Sequence, residues 1–370
     1  KHHDITLFSL IKDKAETRYI PLLEKNFCKQ VRVFQRSRNP FTLKNILKTG
    51  FSALPFLIVR NFSEDAKAAI EAELSTTHYD LIHAETFYAM PLIPKTKVPI
   101  VLVDQTIEYK VYQHYVQHTA PLLFRPLFNL DVLKLKYWER FYWRQANRVI
   151  AVSPADKQEM LQIEPKLSVD IVPNGVNLDF FKPKTSWKTS SPKLLFVSNF
   201  NWLQNTEAAQ ILITQVFPEV KRHLPHAQVH IVGQHLPLDL TRLQAKDVII
   251  KEVKEDDTSS IRQAYFSADI FVTPLRGPGG TRLKNLAAMA SKLPIVSSTV
   301  GMSGLGVTPG VHALIDDDPK GMANDIVKLL THPKKAQQIA TAAFEFVKKN
   351  YDYQVIADHL SDIYNGVAKM

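Results

Sequence analysis

Short apolar runs alternate along this chain with longer stretches in which apolar residues recur every three or four positions. The runs at 5–10, 31–34, 81–83, 100–104 and 149–153 are rich in Val, Ile and Leu, as are those at 194–198, 229–233, 248–250, 270–273 and 295–297. They are too short for helices and predict buried strands. Between them, 64–74, 133–145, 206–223, 259–267, 282–291 and 336–349 carry the helical period. Strands and helices alternate in this way when parallel strands are joined by helical crossovers, so an α/β class is expected. The polar stretch 182–193, with a proline near each end, predicts a linker that splits the chain almost in half. The expected organisation is two Rossmann-like, doubly wound domains, 1–182 and 193–352, facing a central cleft. A last helix is expected within 353–370. Ligands of such sheets lie beyond the carboxyl ends of the strands, so functional residues are expected just after the runs named above.

Composition narrows the class. Of 370 residues, 45% are hydrophobic and 22% charged, which excludes a disordered chain. The longest apolar stretch, 51–59, is interrupted by Ser52 and Pro55 and falls well short of the roughly 20 residues a spanning helix needs. The single cysteine, Cys28, permits no internal disulfide and fits a reducing, cytoplasmic compartment. The net charge of +10 is concentrated before residue 51, where 11 basic residues face 4 acidic ones. A basic face of this kind suits nucleic acid, anionic lipid, a phosphorylated substrate, or solvent alone. Nucleic acid is disfavoured, because the basic residues are not interleaved with aromatics in a known binding motif. Lys29 to Lys48, with the apolar 51–59 beside them, would suit peripheral docking on an anionic membrane. Glycine is scarce and unevenly placed: seven of 12 fall between Gly277 and Gly310. Such clustering marks a place where the backbone turns tightly or approaches a ligand.

Three segments carry candidate chemistry. The first is Val149-Ile-Ala-Val-Ser-Pro-Ala-Asp156 with Ile171-Val-Pro-Asn-Gly-Val-Asn177. The second is Leu194-Leu-Phe-Val-Ser-Asn-Phe-Asn201 followed by a helix and Val229-His-Ile-Val-Gly233. The third is Phe271-Val-Thr-Pro-Leu-Arg-Gly-Pro-Gly-Gly-Thr-Arg-Leu-Lys284, leading into a helix of small residues. The third reads as strand, glycine loop and helix start. Bare amides at a helix N-terminus favour phosphate, and Arg282 and Lys284 add positive charge. The spacing is neither that of a P-loop nor that of the dinucleotide fingerprint. Asp316-Asp-Asp318 reads as a solvated turn, not a metal site. No histidine pair has zinc-site spacing, and His114 and His118 read as packing residues. The aromatic stripe from Tyr137 to Trp143 reads as core.

In this order and spacing the motifs resemble glycosyltransferase family 4, most clearly from Arg144 to Lys349. In the first half only Asp104-Gln-Thr-Ile-Glu108 and Tyr137-Trp-Glu-Arg-Phe-Tyr142 are similar. The resemblance implies a GT-B fold with an N-terminal acceptor domain, a C-terminal nucleotide-sugar domain and a last helix, 353–370, that crosses back to the first domain. It implies hexosyltransferase-type transfer from a nucleoside-diphosphate sugar (UDP or GDP) with retained configuration, onto a glycan or lipid-linked acceptor of the cell envelope. No metal and no cofactor are implied. Lys284 and Arg282 match positions at the donor phosphates, with the amides of Gly279, Gly280 and Thr281 beside them. Asn201, Val253, Ala287 and the loop Gly301, Met302, Ser303 and Gly304 match other donor-side positions, and Gln105 and Glu108 match the acceptor side. Alanine stands at 287 where the family carries a ribose-binding glutamate. A non-catalytic nucleotide-sugar binder of the same fold is therefore the alternative. The resemblance also implies that the family's first strand and its glycine loop lie before Lys1.

Overall fold

The computed structural model of the chain describes residues 3–36, 39–118, 120–277 and 282–369. It separates into two units, the first taking the chain up to Val172 together with the stretch from His359 onward, the second Pro173–Asp358.

In the first unit the elements follow as β1 (Thr6–Ile11), α1 (Ile20–Asn26), β2 (Gln30–Gln35), α2 (Leu43–Phe51), α3 (Phe56–Asn61) and α4 (Glu64–Thr76). Then come β3 (Ile82–Glu85), β4 (Ile100–Asp104), α5 (Glu108–His118), α6 (Arg125–Gln145), β5 (Arg148–Ala151), α7 (Pro154–Ile163) and β6 (Val169–Ile171). The strands form two parallel ladders, β1-β2 and β3-β4-β5-β6, where one continuous sheet was expected. Val101, Leu102 and Val103 of β4 are buried, as a strand covered on both faces requires. Leu102 packs with Leu57, Ile58, Phe87 and Trp143 in the core. The apolar stretch 51–59 is not one lipid-facing run. It divides between the exposed end of α2 and α3, whose Leu57, Ile58 and Val59 are buried. The helical residues of 133–145 belong to the longer α6, in which Trp143 lies in the core while Tyr137 stays exposed.

The second unit contains β7 (Lys193–Asn199), α8 (Leu203–Ile211), α9 (Phe217–His223), β8 (Gln228–Gln234), α10 (Leu238–Thr241), β9 (Val248–Glu252), α11 (Thr258–Ser267) and β10 (Ile270–Thr273). It continues with α12 (Leu283–Ala290), β11 (Ile295–Ser297), α13 (Thr299–Met302), β12 (Leu314–Ile315), α14 (Pro319–Thr331), α15 (Pro333–Asn350) and α16 (Tyr353–Val367), the last running on into the first unit. One parallel sheet holds the order β12-β11-β10-β7-β8-β9. Alternate residues of β7 serve opposite faces: Leu194 and Phe196 join one core, Leu195 and Val197 the other. Because the chain leaves β7 in one direction and returns through β10 on its other side, the strand order reverses between them. That crevice is the topological switch point, where open α/β sheets bind ligands.

One sequence expectation needs correction here. The pattern 206–223 predicts one helix, but a π-helical turn at Leu212–Val216 separates α8 from α9. Pro218 sits in the first turn of α9 and has no amide proton to give the carbonyl four residues back. The wider turn before it accommodates that loss. The run Asp316-Asp-Asp318 is a turn after β12 with Asp317 and Asp318 exposed, as expected, and it also caps helices. Asp317 accepts from the Thr299 amide and hydroxyl at the start of α13, both at 2.8 Å. Asp318 accepts from the amides of Lys320 (3.1 Å) and Gly321 (3.0 Å) at the start of α14. Each is a helix cap, which satisfies amides that a helix end leaves without partners.

Candidate functional site

The loops that leave β7 and β10 flank the switch point, and the helices that follow them begin there. α11, α13 and α14 are capped by the side chains of Asp257, Ser298 and Asp318. Neither α8, preceded by Trp202, nor α12, preceded by Arg282, has a side-chain cap. Their first amides carry the positive end of the helix dipole, which suits an anion.

Lys284 ties the two sides of the crevice together. Its ammonium donates to the Ser198 hydroxyl near the end of β7 (2.7 Å) and to the Asn205 side-chain oxygen in the first turn of α8 (2.6 Å). It lies 5.0 Å from the centre of the Phe196 ring. Asn205 is itself fixed, since its amide nitrogen donates to the Asn199 carbonyl at 2.7 Å. Burial, reinforced by the positive charge of Arg282, brings the Lys284 pKa down to about 7. The Arg282 side chain is also buried, and burial lowers its pKa too. A buried guanidinium and a half-buried ammonium therefore share one helix start, an arrangement that a bound polyanion would relieve. Among the described residues no three His, Cys, Asp or Glu side chains are grouped to hold a metal ion.

The other expected donor residues fall into distinct settings. Gly279, Gly280 and Thr281 lie outside the described residues. Asn201 is exposed, and its backbone amide donates to the Asn199 side chain at 3.0 Å, closing the turn after β7. Val253 is buried, and its amide already donates to the Gly233 carbonyl at 2.8 Å. Gly301 and Met302 are buried scaffold. The Gly301 amide donates to Ser298 Oγ at 3.0 Å, and its carbonyl accepts from Asn285 at 2.6 Å. A Cβ there would sit 2.2 Å from Ser297 Oγ, so only glycine fits. Ser303 and Gly304 are exposed, with Gly304 in the left-handed region at φ +80°. Ala287 is 8% exposed and belongs to an apolar cluster with Leu286, Leu195 and Val197. Ser198, Asn205 and Asn285 were not singled out by sequence reasoning. Their signal is position alone: one ends a strand, and two occupy first turns of helices beside the switch point.

In the first unit, the expected acceptor residues gather at the carboxyl ends of β3 and β4. The Gln105 side chain donates to Glu85 at 2.6 Å, and Glu85 is also bonded to His83 at 3.0 Å. Burial would raise the Glu85 pKa, but the hydrogen bonds from His83 and Gln105 outweigh it and hold the pKa low. Glu108 opens α5; burial raises its pKa against the pull of Arg60. Beside them Asp104 is fully buried, accepting from the Phe87 amide (3.0 Å) and the Trp143 indole (2.5 Å). Thr86 follows β3 at φ +68°, a strained conformation for a β-branched residue.

Comparison with known proteins gives the family and the fold. Residues 25–180 match the family model Glycosyltransferase Family 4, and residues 191–332 match Glycosyl transferases group 1, together most of the chain. Over 98% of both chains the fold resembles that of sucrose-phosphate synthase from Thermosynechococcus elongatus, with a TM-score of 0.66 at 17% identity. It also resembles Anabaena HepE, solved with UDP and glucose, over 98% of this chain and 100% of that one, with a TM-score of 0.65 at 18% identity. An uncharacterized 44.6 kDa protein in the cps region of Klebsiella pneumoniae is 23% identical over 95% of this chain and 88% of its own. The fold is GT-B, a two-domain α/β architecture of glycosyltransferases. The chain belongs to the glycosyltransferases, with a Glycosyltransferase Family 4 domain followed by a Glycosyl transferases group 1 domain.

Proposed function

We propose that the chain is a retaining glycosyltransferase that moves a sugar from a nucleoside-diphosphate sugar to an acceptor hydroxyl in cell-surface glycan synthesis. The observation that carries this reading is Lys284, a half-buried cation bonded only to neutral groups among its described partners, at the switch point of the second unit. On this reading Lys284, Arg282 and the start of α12 meet the charge of the donor diphosphate. The bond between the anomeric carbon and the diphosphate oxygen breaks. The acceptor oxygen bonds to that carbon, and its proton leaves with the nucleoside diphosphate. Electrostatic stabilisation of the leaving group is what fixed cations contribute to such a step. No cofactor is invoked. The UDP and glucose found with HepE make UDP-glucose the first donor to test, and the cps region of the Klebsiella relative favours an envelope glycan or its lipid-linked precursor as acceptor.

One observation favours a second reading, a non-catalytic nucleotide-sugar binder. Ala287 offers a methyl group where a carboxylate would hold the ribose hydroxyls, and affinity then rests on phosphates and base. Release of nucleoside diphosphate and sugar transfer are to be measured over a panel of UDP- and GDP-sugars with glycan and lipid-linked acceptors. Transfer from one of them supports the enzyme. Binding of a nucleotide sugar without turnover from any of them supports the binder. Ala287→Glu should tighten donor binding about five- to 150-fold, about 1–3 kcal/mol, if two hydrogen bonds to a charged group form. Unchanged affinity in a folded variant would remove Ala287 from the ribose position.

A further inference from the structure

Helix α2 buries none of its nine residues. Its apolar positions nevertheless keep the helical period: Leu43 is 73% exposed, Phe51 is 89% exposed, and Ile46 and Leu47 are exposed between them. An amphipathic helix with an uncovered apolar face is unusual, because that face gains nothing from folding unless something covers it. A second uncovered stretch lies at the start of α6. Leu122 and Leu123 in the turn before α6, and Leu127 and Leu130 along its first turns, are exposed as well. α6 is tied to the end of α2 from one turn beyond Leu130 onward. The Lys134 ammonium of α6 donates to the carbonyls of Thr49 and Ser52 at the end of α2, each at 2.7 Å. The Trp138 indole donates to the Ala53 carbonyl at 2.8 Å.

The charge around this surface has one sign. From Lys25 to Arg60 the sequence holds eight Lys and Arg and no Asp or Glu, and no acidic residue occurs between Tyr109 and Leu130. Lys44 and Lys48 are exposed on α2 itself. We propose that α2 and the start of α6 form a docking surface for an anionic lipid bilayer. Leu43, Ile46, Leu47 and Phe51 enter the boundary between headgroups and acyl chains, and Lys44 and Lys48 meet anionic headgroups. Basic residues beside an apolar helix face are the combination that binds such an interface. A second copy of the chain is the poorer occupant, since a two-fold contact would bring the same basic segments together. Among the described residues no helix is long and apolar enough to cross a membrane, so the contact is peripheral.

The test is flotation of the full chain with vesicles of phosphatidylglycerol and phosphatidylcholine, and with phosphatidylcholine alone. The chain should float with the anionic vesicles, more weakly with neutral ones, and less as salt is raised. The triple variant L43S/L47S/F51S and the double variant K44E/K48E should each lose at least about tenfold in vesicle affinity. These side chains are exposed, so nucleotide affinity and thermal midpoint should stay unchanged. As a readout independent of the variants' stability, an environment-sensitive dye on Phe51→Cys, with Cys28→Ser, should shift to the blue on anionic vesicles. No flotation with anionic vesicles, flotation that both variants leave intact, or an unshifted dye would overturn the proposal. So would a dimer in solution that the triple variant turns into a monomer. None of these readouts depends on sugar transfer.

Discussion

Lys284 is a basic residue whose surroundings make its charge conditional. With its pKa near 7 when no ligand is present, it is fully charged only below neutrality. A diphosphate binds the charged form. Affinity should therefore be highest below about pH 7 and fall as pH rises towards 9, by up to tenfold per unit. Asn205 sets part of this behaviour, because its oxygen lies 2.6 Å from the ammonium. Asn205→Asp would place a carboxylate there, raise the Lys284 pKa and move the decline in affinity to higher pH. A loss of affinity equal at every pH would show that Asn205 only supports the fold. Lys284 was legible from sequence, because a basic residue next to a glycine loop and a helix start already implies an anion. Its partners were not. Ser198 and Asn205 meet it through strand order, which brings residues 86 and 79 positions apart into contact. The pattern of apolar runs states that strands exist, but not which are neighbours.

At the scale of elements, β7 and β8 hold the site's frame. Gly233 pairs with Ser198, and a Cβ on Gly233 would lie 1.8 Å from the Ser198 carbonyl oxygen. Gly233→Ala must push the end of β7 away, and Ser198 with it. It should destabilise the second unit by roughly 1–3 kcal/mol or more, as overpacking does, and weaken nucleotide binding. Thermal unfolding alongside a nucleotide titration checks both, and an unaffected protein would mean that the two strands separate without strain. In the first unit the buried carboxyl of Asp104 gives a pH signature. Burial lifts its pKa to about 7, against the lowering by the Trp143 and Phe87 hydrogen bonds, and Glu139 beside it is raised as well. A folded pKa above the unfolded one contributes stability that is complete below about pH 4 and is lost as pH rises through 7. The thermal midpoint of the first unit should therefore fall between about pH 4 and 7 and level off above that, and Asp104→Asn should flatten that fall. A midpoint that holds or rises would contradict it. Most strands were legible here from apolar runs bounded by polar residues. The π turn was not, because its apolar spacing continues that of the flanking helices and only Pro218 marks the break. α2 was hidden for a different reason: no core pairs with its apolar face, so the run 51–59 drew attention to the wrong residues.

For the whole molecule, an alternation of short strands and helices, broken once by the polar stretch 182–193, was enough to indicate an α/β chain, and the ordered motifs pointed to glycosyltransferases. The two ladders of the first unit were not legible, since β1 and β2 look like any other half-buried strands in sequence. The distribution of function over the molecule is the broader proposal: phosphate recognition at the switch point of the second unit, and lipid contact on the exposed helices of the first. Its most direct test is a calorimetric titration of UDP and of GDP into the full chain, with Lys284→Ala alongside. One nucleotide should bind, and the variant should bind it at least about tenfold more weakly, the worth of one charge-assisted contact of about 1.5–3 kcal/mol. The triple variant of α2 should bind it as the unaltered chain does. Equal affinity of Lys284→Ala and the unaltered chain, or no binding of either nucleotide, would contradict the assignment of the site.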